Sequence, residues 1–120
     1  MAVLILVFAG AVVWLEVAAM KRMGRAALLE AQARVEPPSD PADSIKDVVV
    51  AFGDGGTKAW HNGAFPVGPD PVTASEWMIV PNASGICTTR VSVTTYKGIT
   101  ADTSIRTRVL DTAQAHAGHL

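Results

Sequence analysis

The chain has little cysteine and almost no net charge. Cys87 is the single cysteine in 120 residues, so no intrachain disulfide can staple the fold, and the thiol reads as a small buried apolar side chain. Ten basic against eleven acidic residues leave a formal charge of −1, which gives no electrostatic ground for a nucleic-acid or strongly acidic partner. Aromatic residues make up only 6% of the chain, so Trp60, Phe65 and Trp77 are expected to build much of a small core or an interface. Internal repeats and low-complexity segments are absent from the sequence.

Catalytic and metal-binding constellations are equally thin. His116 and His119 have a helix-compatible spacing but lie in a terminal tail with no nearby ligand other than Asp111. His61 follows Trp60 in a Gly-rich stretch and has no identifiable nucleophile to serve. Gly53-Asp54-Gly55-Gly56 lacks the alternating oxygen ligands of a calcium loop and the Lys-Ser/Thr ending of a phosphate loop. Asn82-Ala83-Ser84 satisfies the glycosylation sequon, which matters only for an exported chain in a glycosylating host. No catalytic, cofactor-binding or metal-binding residue is assigned, and no cofactor is expected.

The absence of charge is most concentrated at the amino terminus. Met1 to Leu15 carry no ionisable side chain, and the indole N–H of Trp14 is the only polar side-chain group among them. Such a run is cleaved, inserted in a membrane or packed into an assembly. A secretory signal with a small-residue site at Val17-Ala18-Ala19 would need a basic n-region, which is missing, and would not place Glu16 there. A bilayer span needs about twenty apolar residues, reached here by extending through Met20 and including Glu16. Glu16 then sits at the water boundary or makes a specific contact between subunits.

Beyond the run, Val17, Met20, Leu28, Ala31 and Val35 approach a 3.6-residue period, with Lys21, Arg22, Arg25, Glu30, Gln32 and Arg34 as the polar complement. The spacing predicts one continuous helix from about Ala2 to Val35, roughly 50 Å long. Its apolar half, with Leu4, Leu6, Phe8, Gly10, Val13, Trp14, Glu16 and Met20, is expected to be the membrane or assembly element. Lys21, Arg22 and Arg25 are the charges of an amphipathic stem, and they favour a cytoplasmic carboxyl side. Ala9, Gly10, Ala11 and Gly24 offer places where another helix can approach closely.

Pro37, Pro38 and Pro41 make residues 36–44 a semi-rigid linker. The pattern then becomes that of strands, forming a small β-rich domain over 45–110 before a tail at 111–120. Ile45 to Phe52 is a Val-rich strand, a short strand is expected at Ala59 to His61 within a long loop, and Trp77 to Val80 is a further short strand. Ile86 to Tyr96 and Ile99 to Leu110 form a hairpin through Lys97-Gly98. In its second strand Ile99, Ala101, Thr103, Ile105, Thr107 and Val109 face inward. The expected fold class is therefore α+β, one long helix followed by a small antiparallel sheet. With about 75 residues outside the helix, the soluble part is marginal alone and favours an assembly.

This layout, with Trp14-Leu15-Glu16-Val17, the stretch Lys21 to Ala31 and the later Val91-Ser92-Val93-Thr94-Thr95-Tyr96, resembles type IV pilin-like proteins, in particular TadE-like minor pilins of the tight-adherence class. The resemblance implies a non-enzymatic filament or export subunit whose helix packs in a bundle with copies of itself or other subunits, at least transiently in membrane lipid, ending membrane-anchored or in a cell-surface filament. A precursor of that kind would carry a basic leader upstream of Met1. Two other readings stay open: a single-pass membrane subunit, either an accessory subunit of a membrane machine or a virion protein linking an internal membrane to a capsid, and an enzyme using His61.

Overall fold

The computed structural model describes residues 2–53, 56–81 and 84–109. Among these residues there are eight strands and no helix: β1 (Ala2–Phe8), β2 (Ala11–Met23), β3 (Ala26–Glu36), β4 (Ile45–Phe52), β5 (Thr57–Trp60), β6 (Val72–Ile79), β7 (Ile86–Thr95) and β8 (Thr100–Arg108). They form two four-stranded antiparallel sheets, ordered β1-β2-β3-β6 and β5-β4-β7-β8, with β8 lying over β1 and β2.

The expected α+β class with an Ala2–Val35 helix is thus corrected to all-β. In β2, Ala11, Val13, Leu15 and Val17 are fully buried, while Val12, Trp14, Glu16 and Ala18 between them are less so, which is the period of two of a strand. β3 repeats the alternation with Ala27, Leu29, Ala31, Ala33 and Val35 inward. Ala9 and Gly10, taken above as points of helix approach, both have positive φ (49° and 76°) and make a two-residue hairpin turn of the kind that matches strand twist. Gly24 and Arg25 turn β2 into β3. Of the apparent helical stripe only Val17, Ala31 and Val35 face the core. Leu28 is in the outward phase of β3, and Met20 is an extra, exposed residue in β2, where Ala19 pairs with Leu29 and Lys21 with Leu28. The inward set shifts from odd to even numbers at that bulge.

The transmembrane helix and the pilin-like layout go with it. Trp14 to Val17 lie in β2, and Lys21 to Ala31 cover the end of β2, a turn and β3. Among the described residues no helix is long and apolar enough to cross a membrane.

One core lies between the sheets, with Val13, Leu15, Leu29 and Val35 from the first and Val48, Val50, Phe52, Val91 and Val93 from the second. β4 occupies the expected residues, and the short strand expected at Ala59 to His61 is β5, which starts at Thr57 and ends at Trp60, leaving His61 outside it. The strand expected at Trp77 to Val80 begins earlier, at Val72, because it borders β3 over eight residue pairs. β8 alternates as expected over most of its length, with Ile105, Thr107 and Val109 buried and Ser104, Arg106 and Arg108 exposed. Ile99, expected to begin the strand facing inward, instead precedes it and is exposed.

The proline-rich segment carries the chain from the first sheet to the second and is fastened to the β7–β8 turn. Asp40 binds the Lys97 ammonium at 2.6 Å, and Asp43 accepts the amide N–H groups of Ser44 (2.9 Å) and Lys97 (3.0 Å). Burial pushes the Asp43 carboxyl up, but the hydrogen bonds from Thr95, Lys97 and Ser44 outweigh it and hold the group below its ordinary value.

Candidate assembly surface

β1 is an edge strand. Its register with β2 pairs Ala2 with Val17, Leu4 with Leu15, Leu6 with Val13 and Phe8 with Ala11, so these four face the core. Val3, Ile5 and Val7 pair with Glu16, Trp14 and Val12 and face outward, where they are 51%, 65% and 63% exposed. These are large apolar side chains in water, in a row, beside Val12 and Trp14 of the next strand. Contiguous patches of this kind mark interaction surfaces in folded proteins.

The backbone of the same residues is also open. In a two-residue hairpin the closing pair, here Phe8 and Ala11, exchanges both backbone hydrogen bonds, and bonded pairs then alternate along the ladder. Ala2, Leu4, Leu6 and Phe8 therefore spend their N–H and C=O groups on β2, whereas Val3, Ile5 and Val7 point theirs away from it. Among the described residues no strand pairs with that edge.

The other three edges are defended differently. β5 has only four residues and carries Lys58, which approaches Glu76 of β6 at 3.6 Å. β6 has Glu76 and follows Pro71. β8 carries Asp102, Arg106 and Arg108, with Asp102 paired to Arg90. Short strands and charges are how sheet edges resist unwanted pairing, and β1 has neither a charge nor a proline.

The residues assigned to the apolar helix are thereby redistributed. Leu4, Leu6 and Phe8 pack inward from β1, Gly10 is in the hairpin turn and Val13 is in the core. Trp14 lies on the outer face under the Arg34 guanidinium, 5.5 Å from the ring centroid, and the two residues are direct neighbours across β2 and β3. Glu16 stands on the same face between Val3 and Gln32, and Met20 is exposed at the bulge. Of the stem charges, Lys21 is exposed. Arg22 turns inward after the bulge and donates to the Val109 and Gly24 carbonyls (2.9 and 3.0 Å), and the Arg25 carbonyl accepts the Val80 N–H at 2.7 Å. Val3, Ile5 and Val7 were not singled out by sequence, although β-branched residues at every second position next to an Ala-Gly turn carry the signal.

The remaining polar candidates serve the fold. His61 Nδ1 lies 3.2 Å from Asp47 Oδ1, and the same oxygen accepts the Asn62 amide at 3.2 Å, so the carboxylate holds the turn after β5. Burial raises the Asp47 carboxyl, and the bonds from Asn62 and His61 bring it below its ordinary value. Cys87 is buried, and that burial pushes its thiol up, partly offset by Arg22. Trp60 and Phe65 meet edge to face at 5.2 Å, with Phe65 in the core, whereas Trp77 is exposed on the outer face of β6. Among the described residues no three His, Cys, Asp or Glu side chains group as for a metal ion. His116, His119 and the tail lie outside the described residues, as do Asn82 and Ala83 of the sequon and Asp54 and Gly55 of the glycine-rich turn.

Compared with protein families, with curated proteins and with solved structures, the chain matches none.

Proposed function

We propose that the protein is a non-enzymatic structural subunit that assembles with copies of itself through the β1 edge and the apolar outer face beside it. The observation that supports this reading is the row Val3, Ile5 and Val7, in which exposed apolar side chains and unspent backbone groups coincide on the one uncharged edge among the described strands. Association there removes apolar area from water and satisfies the free N–H and C=O groups at the same time.

Ile5→Lys tests it. The side chain is solvent-exposed, so the substitution should change stability by no more than about 0.5 kcal/mol, while it places a charge on the edge that must pair. Wild-type chain should sediment as an oligomer and Ile5→Lys as a folded monomer. A wild-type chain that remains monomeric at the highest soluble concentration, or an oligomer indifferent to Ile5→Lys, would overturn the reading.

A further inference from the structure

The residues that face the open edge have an arrangement that selects one partner. Val3-Leu4-Ile5-Leu6-Val7 reads the same in both directions, and Ile5 is the midpoint of β1. We infer that two copies of this chain pair antiparallel through β1 about a two-fold axis at Ile5, joining their first sheets into one continuous eight-stranded sheet. The inference rests on the proposed self-assembly and adds its geometry.

In this register Ile5 faces Ile5 of the second copy, Val3 faces Val7, Leu4 faces Leu6 and Ala2 faces Phe8. It is the register in which every residue of β1 is paired. Contacts about a two-fold axis must be self-complementary, and a palindromic strand meets that requirement with like side chains opposite like, the small Ala2 standing against the large Phe8. The hydrogen-bond phase agrees. Val3, Ile5 and Val7 point their backbone groups outward, and this register sets outward residues only against outward residues, which allows about six hydrogen bonds between the chains. With no charge in β1, no like charges meet across the axis.

Two features of the single chain are accounted for by such pairing. On the inner face Leu4 and Leu6 are only partly buried, although their partners Leu15 and Val13 are wholly so, because the core is open at this edge. A second β1 alongside would close it. On the outer face Val3, Ile5, Val7, Val12 and Trp14 of both copies would become one apolar stripe, flanked by Glu16 and by Arg34.

The test uses oxidative cross-linking of the full chain at three positions. Ile5→Cys places two thiols opposite each other, with Cα atoms about 5.5 Å apart, within disulfide reach. Val3→Cys alone sets its two thiols roughly 14 Å apart along the strands and should not link, nor should Val7→Cys alone. An equal mixture of Val3→Cys and Val7→Cys chains should link to each other. Wild-type chain, whose Cys87 is buried, is the control. Linkage of Ile5→Cys and of the mixture, with the single Val3→Cys and Val7→Cys chains unlinked, is the expected result. Efficient linkage of Val3→Cys or Val7→Cys alone would overturn this register and leave self-assembly through β1 standing. An oligomer that Ile5→Lys dissolves but that links at none of these positions would likewise overturn strand pairing alone. Monomeric chains at every concentration, without cross-links, would overturn both.

Discussion

Ile5 stands directly opposite Trp14 in the β1–β2 ladder, and both side chains project from the outer face of the first sheet, away from the core that Leu4, Leu6, Val13 and Leu15 line. The most apolar segment of the chain is thus divided between two tasks by the pleat of one strand. Half of β1 completes a core, and the other half is presented to solvent beside an indole. Only a strand divides a segment in this alternating way, and it does so here without any change of composition along the sequence.

The hairpin that presents β1 depends on its turn. Gly10 has φ of 76°, and a Cβ there would lie against the Ser39 hydroxyl and 2.9 Å from the Ser39 backbone nitrogen. Gly24, at φ of 63° in the next turn, has nothing within 4 Å of such a Cβ. Gly10→Ala and Gly24→Ala share a backbone cost of order 1–3 kcal/mol, so Gly10→Ala should be the more destabilising by thermal melting, since it adds a clash with backbone. Equal losses would mean that Ser39 and its segment move aside freely.

The segment between the sheets should give the fold an acid-sensitive component. The Asp40 carboxyl is held below its ordinary value by its bond to Lys97 and by the Ala42 amide, and Asp43 is lowered as described. A carboxyl whose folded value is depressed contributes stability that is present above its unfolded value, near 3.8, and is lost as pH falls through the folded one. Asp43→Asn should therefore melt below wild type at pH 7, with the gap narrowing as pH falls from about 4 towards 2. A gap that stays constant with pH would show that the charge of Asp43 contributes nothing.

Two hydroxyls in the second sheet offer a gain in stability. Thr89 and Thr107 are fully buried, and their Oγ1 atoms have no hydrogen-bond partner among the described residues. Thr107 pairs with buried Cys87. Thr107→Val keeps the shape and removes an unsatisfied polar atom, so it should raise stability by about 1–3 kcal/mol in denaturant titration. A loss would mean that the hydroxyl is paired in solution.

How much of this was legible in the sequence follows from where the strand period is clean. In β8 Ala101, Thr103, Ile105 and Thr107 alternate with polar outward residues and were read correctly as inward, whereas Ile99, expected to face inward with them, precedes the strand and is exposed. In β4 the cluster of valines between a proline-rich segment and a glycine-rich turn gave the strand and its ends. The first three strands obscured themselves. Apart from Val35, β3 is made of Ala, Leu, Glu, Gln and Arg, all strong helix formers, and became a strand because β2 and β6 pair with it on both sides. The Met20 bulge reversed the inward phase within β2, and Val17, Met20, Leu28, Ala31 and Val35, which imitate a helical interval, combine residues from both faces of β2 and β3. In β1 both faces are apolar, so polarity shows no alternation; the β-branched Val3, Ile5 and Val7 between leucines mark a strand, but which face is outward is set only by the pairing with β2.

Residue-resolved amide hydrogen exchange on β1, followed as a function of protein concentration, tests the assembly edge most directly. Leu4, Leu6 and Phe8 donate to β2 and should be protected at every concentration. Val3, Ile5 and Val7 should exchange freely in dilute chain and become protected as concentration rises, with the same midpoint as oligomer formation. Free exchange of Val3, Ile5 and Val7 in the fully assembled protein would contradict pairing at this edge.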